Sequence, residues 1–531
     1  MLTDYSEEAV CGVDDLRDGD MKEVRVGDTD VLLARVDGQY YALHPKCSHY
    51  QAPLAKGLLH GSRLVCPWHN ACFDVKTGHR LEAPALNGLP THEVRIEGDR
   101  VMVRLTTEKE SLENPMAAPD TVVTDTCVIV GSGGAGAFAA EGLREGGFTG
   151  PIVVLTSSSQ APYDRPNCSK DYLQGKAPDE WMPLREPSFY QNYGIDIRTG
   201  QHVTSLNPET HEIEVRAWDA GTTETIRYTK ALICTGGVPN RPPVPGIDLA
   251  NVLALRSLHD SQALRELGQA GKPIVIIGSS FIGLEAAMSL RKLGSTVHVV
   301  GMETVPFAKI LGERIGKVIQ GWHEAAGITF HLGRKLSALE GDGAVSAVVL
   351  DNGDRLSAEA VLLGLGVKPN TEFVQGVDRA KDGSLTTDAH LSVANDLYAA
   401  GDIARYPTAD GTQRIEHWKV AGQQGYVAGL NMAGKATVYD QVPFFWTNQQ
   451  GKRINYVGHA DTIDEIIYDG NPEQDDNFLA FYVQANAIRA VAGLKRDTAM
   501  AAIRELMQAD RMPAPDTVRQ PVDWPALLAK A

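Results

Sequence analysis

The feature that most limits what this chain can fold into is a pattern of strand, glycine loop, helix and strand that occurs twice. Residues 126–130 read as a buried strand. The loop Gly131-Ser132-Gly133-Gly134-Ala135-Gly136 follows, then a helical run over 137–145 and a strand over 152–155. The pattern returns about 145 residues later: a strand over 274–277, Gly278-Ser279-Ser280-Phe281-Ile282-Gly283, a helix to Lys292 and a strand over 296–300. Glycines in such a loop permit a tight turn and close backbone approach, so that a pyrophosphate can rest on the helix N-terminus. Two such units predict two nucleotide sites. At 531 residues the chain also exceeds what one core can serve, so three or four domains are expected.

The flanks read differently. Residues 22–105 alternate in short runs cut by Gly-Asp, Asp-Gly and Glu-Gly-Asp turns, the pattern of a small all-β unit. Residues 109–121 are polar, with Asn114-Pro115 and Ala118-Pro119, which is linker chemistry. The tail from about Tyr439 mixes strands with a helix near 498–508. The expected fold is therefore multidomain. An all-β domain over 1–108 and a linker over 109–122 precede a Rossmann-like α/β domain assembled from 123–246 and 370–438. A second Rossmann-like α/β domain covers 247–369, and a C-terminal α/β domain covers 439–531.

The β unit carries Cys47-Ser48-His49, then sixteen residues, then Cys66-Pro67-Trp68-His69. A [2Fe–2S] cluster bound by two thiolates on one iron and two imidazoles on the other needs two loops, each offering one of each. A Cys₂His₂ zinc site uses the same four side chains, but zinc fingers usually separate the two ligand types into different loops. The runs from Cys47 to Gly57 and from Cys66 to Gly78 resemble Rieske ferredoxins. That resemblance implies a cluster on Cys47, His49, Cys66 and His69. It also implies a low-potential one, because Ala52 and Trp68 stand where high-potential relatives carry a disulfide. Cys72, outside the ligand pattern, is expected to be a buried packing thiol.

In the first βαβ unit, Gly131, Gly133, Gly134 and Gly136 predict an FAD site, supported by the downstream strand end Gly401-Asp402. The acid that normally binds the adenosine ribose is missing, since the second strand ends at Leu155 and is followed by Thr156-Ser157. Either a serine hydroxyl such as that of Ser157 bonds the ribose, or FAD binds less tightly. The second unit, with Gly278, Ser280 and Gly283 after a strand end at Gly236, predicts a nicotinamide site. Glu303 follows its second strand with no Arg or Lys beside it to receive a 2′-phosphate, so NADH is expected over NADPH.

Several further motifs complete the picture: Pro162-Tyr163-Asp164-Arg165-Pro166, Ser169-Lys170, Leu363-Gly364-Leu365-Gly366, Gly401-Asp402 and Glu416-His417-Trp418. Together they resemble the FAD-dependent ferredoxin reductases, and with the N-terminal cluster motif the apoptosis-inducing-factor-like reductases. The resemblance implies that Arg165 and Lys170 lie along the flavin and Glu285 near the nicotinamide. Glu416, His417 and Trp418 would sit beside the isoalloxazine ring, with the C-terminal domain covering it. Lys170, Glu285 and Trp418 are the candidate catalytic residues, although Trp418 reads equally well as core.

On this reading NADH gives a hydride to FAD, and electrons pass singly through the cluster to an external acceptor such as an oxygenase or cytochrome P450. One rival makes Cys168 the redox thiol of a single-cysteine peroxidase, oxidase or CoA-disulfide reductase. Another makes the protein a redox-sensing flavoprotein. A net charge of −17, with 50 Lys and Arg against 67 Asp and Glu, argues against nucleic acid and anionic membranes. Seven scattered cysteines argue against a disulfide framework. With no signal-peptide pattern over Met1–Tyr5 and no long apolar stretch, the cytoplasm is the expected compartment. Oligomeric state is not legible.

Overall fold

A computed structural model describes residues 6–530 apart from 108, 110, 219, 220 and 410. The expected lack of a leader pattern at residues 1–5, and the linker's Glu110, therefore lie outside the described residues.

The N-terminal module is two antiparallel sheets. Six strands order as Glu7–Gly12, Arg100–Arg104, Thr91–Glu97, Gln39–Leu43, Thr29–Val36 and Met21–Val26. The smaller sheet orders as Leu58–His60, Arg63–Val65, Cys72–Asp74 and Arg80–Glu82. The second Cys–His segment is the hairpin tip between Arg63–Val65 and Cys72–Asp74. The first lies in the loop between Gln39–Leu43 and Leu58–His60.

Each glycine loop follows a central parallel strand. In the first α/β sheet the parallel order is Ile195–Arg198, Ile152–Leu155, Cys127–Val130, Lys230–Ile233 and Leu397–Ala399. In the second it is Val252–Leu253, Ala360–Leu363, Ile274–Ile277, Val297–Gly301 and Thr329–Leu332. Cys127–Val130 and Ile274–Ile277 are buried throughout, as strands covered on both faces must be. The first helix runs Gly134–Glu145, three residues earlier than its side chains predict, because the last glycines of the loop are already helical.

The C-terminal domain orders its strands as Phe444–Gln449, Lys452–Gly458, Ala487–Leu494, Phe478–Gln484 and Glu465–Asp469, with the helix Asp497–Gln508. Phe478–Val483 is apolar without alternation, and the reason is that both faces of this sheet are covered. Phe445, Tyr456, Phe478 and Ala480 join the core of the second α/β domain. Phe444, Val457, Leu479 and Phe481 join a different core with Met500 and Ile503 of the helix and with Leu58, Val65 and Cys72 of the N-terminal module. That shared core is the interior of one folded unit, whereas a transient domain contact is more polar.

The segment expected to be a free linker is strapped down. Leu112 pairs with Gly88, and Asn114 is buried with hydrogen bonds to the Arg80 backbone and to Glu145. The Ala117 and Asp120 amides donate to the Arg144 and Thr149 carbonyls. Among the described residues no helix is long and apolar enough to cross a membrane.

Candidate functional site

The two Cys–His loops are built alike. Cys47 N–H donates to the Ala52 carbonyl at 2.9 Å and Cys66 N–H to the Ala71 carbonyl at 2.8 Å, so each loop folds back on its cysteine. The amides of His49 and Tyr50 point at the Cys47 sulfur, and those of Trp68 and His69 at the Cys66 sulfur. Donors of this kind stabilise thiolate and tune a bound metal.

The four side chains meet in pairs. The two thiols contact each other. The His49 and His69 Nδ1 atoms stand 3.2 Å apart, close to the edge of a tetrahedron with metal–nitrogen bonds of about 2 Å. Among the described residues no three His, Cys, Asp or Glu side chains converge as a single metal ion needs. Two thiols together and two imidazoles together are the pairing that a dinuclear cluster, with one iron on each pair, needs. Cys72 is fully buried outside these pairs, its thiol pushed up to about 12 by burial.

Beside the pairs lies a cavity of about 970 Å³ running through both α/β domains, at the upper end of small-molecule sites. Its walls include Gly131, Gly133, Gly134, Ser157, Arg165, Lys170, Gly236, Gly366, Gly401 and Asp402. Also lining it are Ser280, Gly283, Glu285, Glu416, His417 and Trp418. Gly136 and Gly278 shape the loops from behind. A Cβ on Gly136 would fall 2.0 Å from the Gly131 carbonyl, and one on Gly278 2.3 Å from that of Gly364. Glu303 is not among the lining residues; its carboxylate accepts from Ser279 Oγ at 3.1 Å, beside the second glycine loop.

The cavity fits FAD on an observation of its own. Arg165 faces Gly133 at the phosphate-binding turn, and its Nε is buried with no hydrogen-bond partner in the chain. A buried guanidinium donor left unmatched is costly, and a bound anion relieves it. Ser157 would face the adenosine end, where no carboxylate precedes it.

Glu285 is the best-connected group in the cavity. One carboxylate oxygen accepts from Ser169 Oγ at 2.6 Å and Lys170 Nζ at 2.7 Å. The other accepts from Thr447 Oγ1 at 2.8 Å and the Asn448 amide at 3.2 Å. The lysine and the glutamate are thus held as one unit. Asp402 pairs with Arg256 at 3.0 Å. Burial raises Glu416 above the ordinary carboxylate range despite its contact with Arg414, and lowers His417 to about 4, which keeps that imidazole neutral. Cys168 lines the cavity but is 5% exposed, and burial pushes its thiol up to about 12, far from the low value of a reactive thiolate.

The resemblance implied that Phe444-Phe445-Trp446 covers the flavin, but sequence reasoning did not find that Trp446 also joins the two sites. Trp446 lines the cavity and also lies against His69, the rings tilted with centroids 4.2 Å apart. Nor did it find the buried ionic cluster that holds the N-terminal module in place. Glu82 contacts Arg63, Arg504 at 2.8 Å and Lys419 at 3.2 Å, and Lys419 donates to the Asn70 carbonyl beside His69. A second set ties Arg80 to Glu145 and Arg185 to Asn87. The partners lie as much as 442 residues apart, as Arg63 and Glu505 do, so no local pattern announces them.

These features define a nucleotide-dependent flavoprotein reductase joined to an iron–sulfur module. A pyridine nucleotide-disulphide oxidoreductase model matches residues 125–425, a Rieske [2Fe-2S] domain model residues 6–93 and a reductase C-terminal model residues 444–523. The chain belongs to the pyridine nucleotide-disulphide oxidoreductase family and carries a Rieske domain. It is similar to apoptosis-inducing factor 3 of Homo sapiens, 32% identical over 96% of this chain and 85% of that protein. It is also similar to the biphenyl dioxygenase system ferredoxin–NAD(+) reductase component of Paraburkholderia xenovorans, 30% identical over 73% of this chain and 93% of that one. Among solved structures, the covalent putidaredoxin reductase–putidaredoxin complex aligns with a TM-score of 0.71 and 28% identity, over 77% of this chain and 99% of that one.

Proposed function

We propose that this NADH-dependent flavoprotein reductase delivers electrons through its own Rieske cluster to an external redox protein of the oxygenase or cytochrome P450 kind. The observation that carries the reading is Trp446, one side chain shared by the wall of the cavity and the histidine side of the ligand loops. The relatives support the kind of acceptor: one is named for a biphenyl dioxygenase system, and another structural neighbour is the ferredoxin reductase for a CYP199A2 system.

Bound FAD supplies the conversion from the hydride of NADH to the single electrons that a [2Fe–2S] cluster accepts. The protein's own groups do the rest. The glycine loops and Arg165 receive phosphates, and Asp402 stands at the end of the first sheet. Lys170, held by its ion pair with Glu285, would offer an N–H to a flavin bound in the cavity. Neutral His417, stacked on Phe445 at 4.3 Å, and Phe445 and Trp446 of the strand Phe444–Gln449 line the cavity wall. The burial of Cys168 counts against the single-thiol alternative.

The test is an EPR spectrum recorded after anaerobic NADH addition, with iron, zinc and flavin quantified in the same sample. Two irons and one flavin per chain with a reduced-cluster signal are expected. Stoichiometric zinc, or flavin bleaching with no cluster signal, would sink the proposal.

A further inference from the structure

His69 is buried and His49 half-buried, so an approach to the cluster from outside runs past the side chains packed around them. His69 lies against Trp446, and the loops are backed by Lys419 and the C-terminal sheet. The exposed ring that touches both histidines is Tyr50, with centroids 4.3 Å from His49 and 5.7 Å from His69, and 38% exposed. Its hydroxyl donates to Asp164, a buried carboxylate, which fixes the ring at the surface.

Asp164 in turn leads to a second exposed aromatic. Its amide donates to the Met182 carbonyl at 2.8 Å, and the residue before Met182 is Trp181, 70% exposed. An exposed tryptophan joined through Asp164 to an exposed tyrosine is the composition of a binding hot spot, because both bring large rigid area at small entropic cost. The rim is acidic. Asp171, Asp179 and Glu180 are exposed in the same segment, against Lys176 within it and Arg265 packed on its Tyr172, on a chain of net charge −17.

We propose that Tyr50 and Trp181 form the surface on which the external acceptor docks, that the acceptor is a one-electron redox protein with a basic face, and that the electron leaves the cluster past Tyr50. This rests on the reading that electrons exit through the cluster. Each transfer oxidises the cluster by one electron and reduces the acceptor's metal centre by one. One NADH, leaving as NAD⁺ and a proton, therefore reduces two acceptor molecules.

Cytochrome c, a small basic haem protein, serves as the probe with the full holoprotein. At low salt the Trp181→Ala and Glu180→Gln variants should each raise the KM for cytochrome c and its calorimetric Kd, about tenfold for the tryptophan. The NADH-generated EPR signal of the cluster should stay at full amplitude, and added salt should weaken binding to the unaltered chain. An unchanged Kd in Trp181→Ala, or binding indifferent to salt, overturns the docking surface while leaving the relay intact. Absence of the NADH-generated signal in the unaltered chain sinks the relay itself, and this inference with it.

Discussion

Trp446 occupies a position where size and face matter more than polarity. Its ring lies against His69 on one side and the cavity on the other, so replacing it by Leu opens a gap between them. We expect Trp446→Leu to leave the rate of flavin bleaching by NADH unchanged and to slow cluster reduction at least tenfold, resolved by anaerobic stopped flow. Equal slowing of both phases would mean the ring only shapes the cavity. Cys168→Ala should leave NADH-driven cytochrome c reduction within about twofold, since a thiol buried this well acts as a small apolar group.

His323 reports on pH instead. It is fully buried, bonded to Gln449 at 2.8 Å, and burial lowers it from 6.5 to about 4. Between those values the unfolded chain takes up a proton that the folded one refuses, so stability falls as pH drops from 6.5 toward 4. Its share is about 2–3 kcal/mol. Thermal unfolding at pH 6.5 and 4.5 should show a smaller loss in His323→Asn than in the unaltered protein.

At the scale of elements, the helix Trp418–Met432 does two jobs from adjacent residues of its first turn. Trp418 turns to the cavity and packs within contact distance of Gly134, while Lys419 is fully buried against Glu82 and the ligand loop. Removing one member of a buried charge cluster strands the others, at a cost of about 3–5 kcal/mol. Glu82→Gln should therefore lower the unfolding temperature and, by loosening the contact beside His69, broaden the cluster's EPR features. The triple replacement of Glu82, Lys419 and Arg504 by apolar residues should recover much of the stability. The motif Glu416-His417-Trp418, which the resemblance placed beside the flavin, lines the cavity, but the inward lysine after it was not legible. Its meaning depends on Glu82 and Arg504, which arrive from two other domains.

At the scale of the whole molecule, the Rieske module is built in rather than tethered. It shares a hydrophobic core with the C-terminal domain, carries buried ion pairs to two domains, and is followed by a strap hydrogen-bonded at Leu112, Asn114, Ala117 and Asp120. Internal electron delivery should accordingly be first-order. Its rate should be independent of protein concentration over a hundredfold dilution and change less than about twofold between low and high salt. A separate ferredoxin, which must diffuse and dock, would show both dependences. A concentration-dependent rate would mean that the module undocks between turnovers.

What the sequence determines by itself is the local chemistry. A glycine loop after a strand, or a cysteine two or three residues before a histidine, constrains backbone and ligand within a few residues, so the nucleotide loops and the Cys47, His49, Cys66 and His69 set were readable from the chain. Tertiary structure alone decided three things: that Trp446 joins the cavity to the ligand loops, that Tyr50 is the exposed edge of the histidine pair, and that residues 111–120 are strapped down rather than a free linker. Each depends on contacts across hundreds of residues, where burial and geometry, not spacing, select the partner. A polar, proline-bearing segment has linker composition whether or not its backbone finds partners, and only the packed surfaces on either side supplied them here.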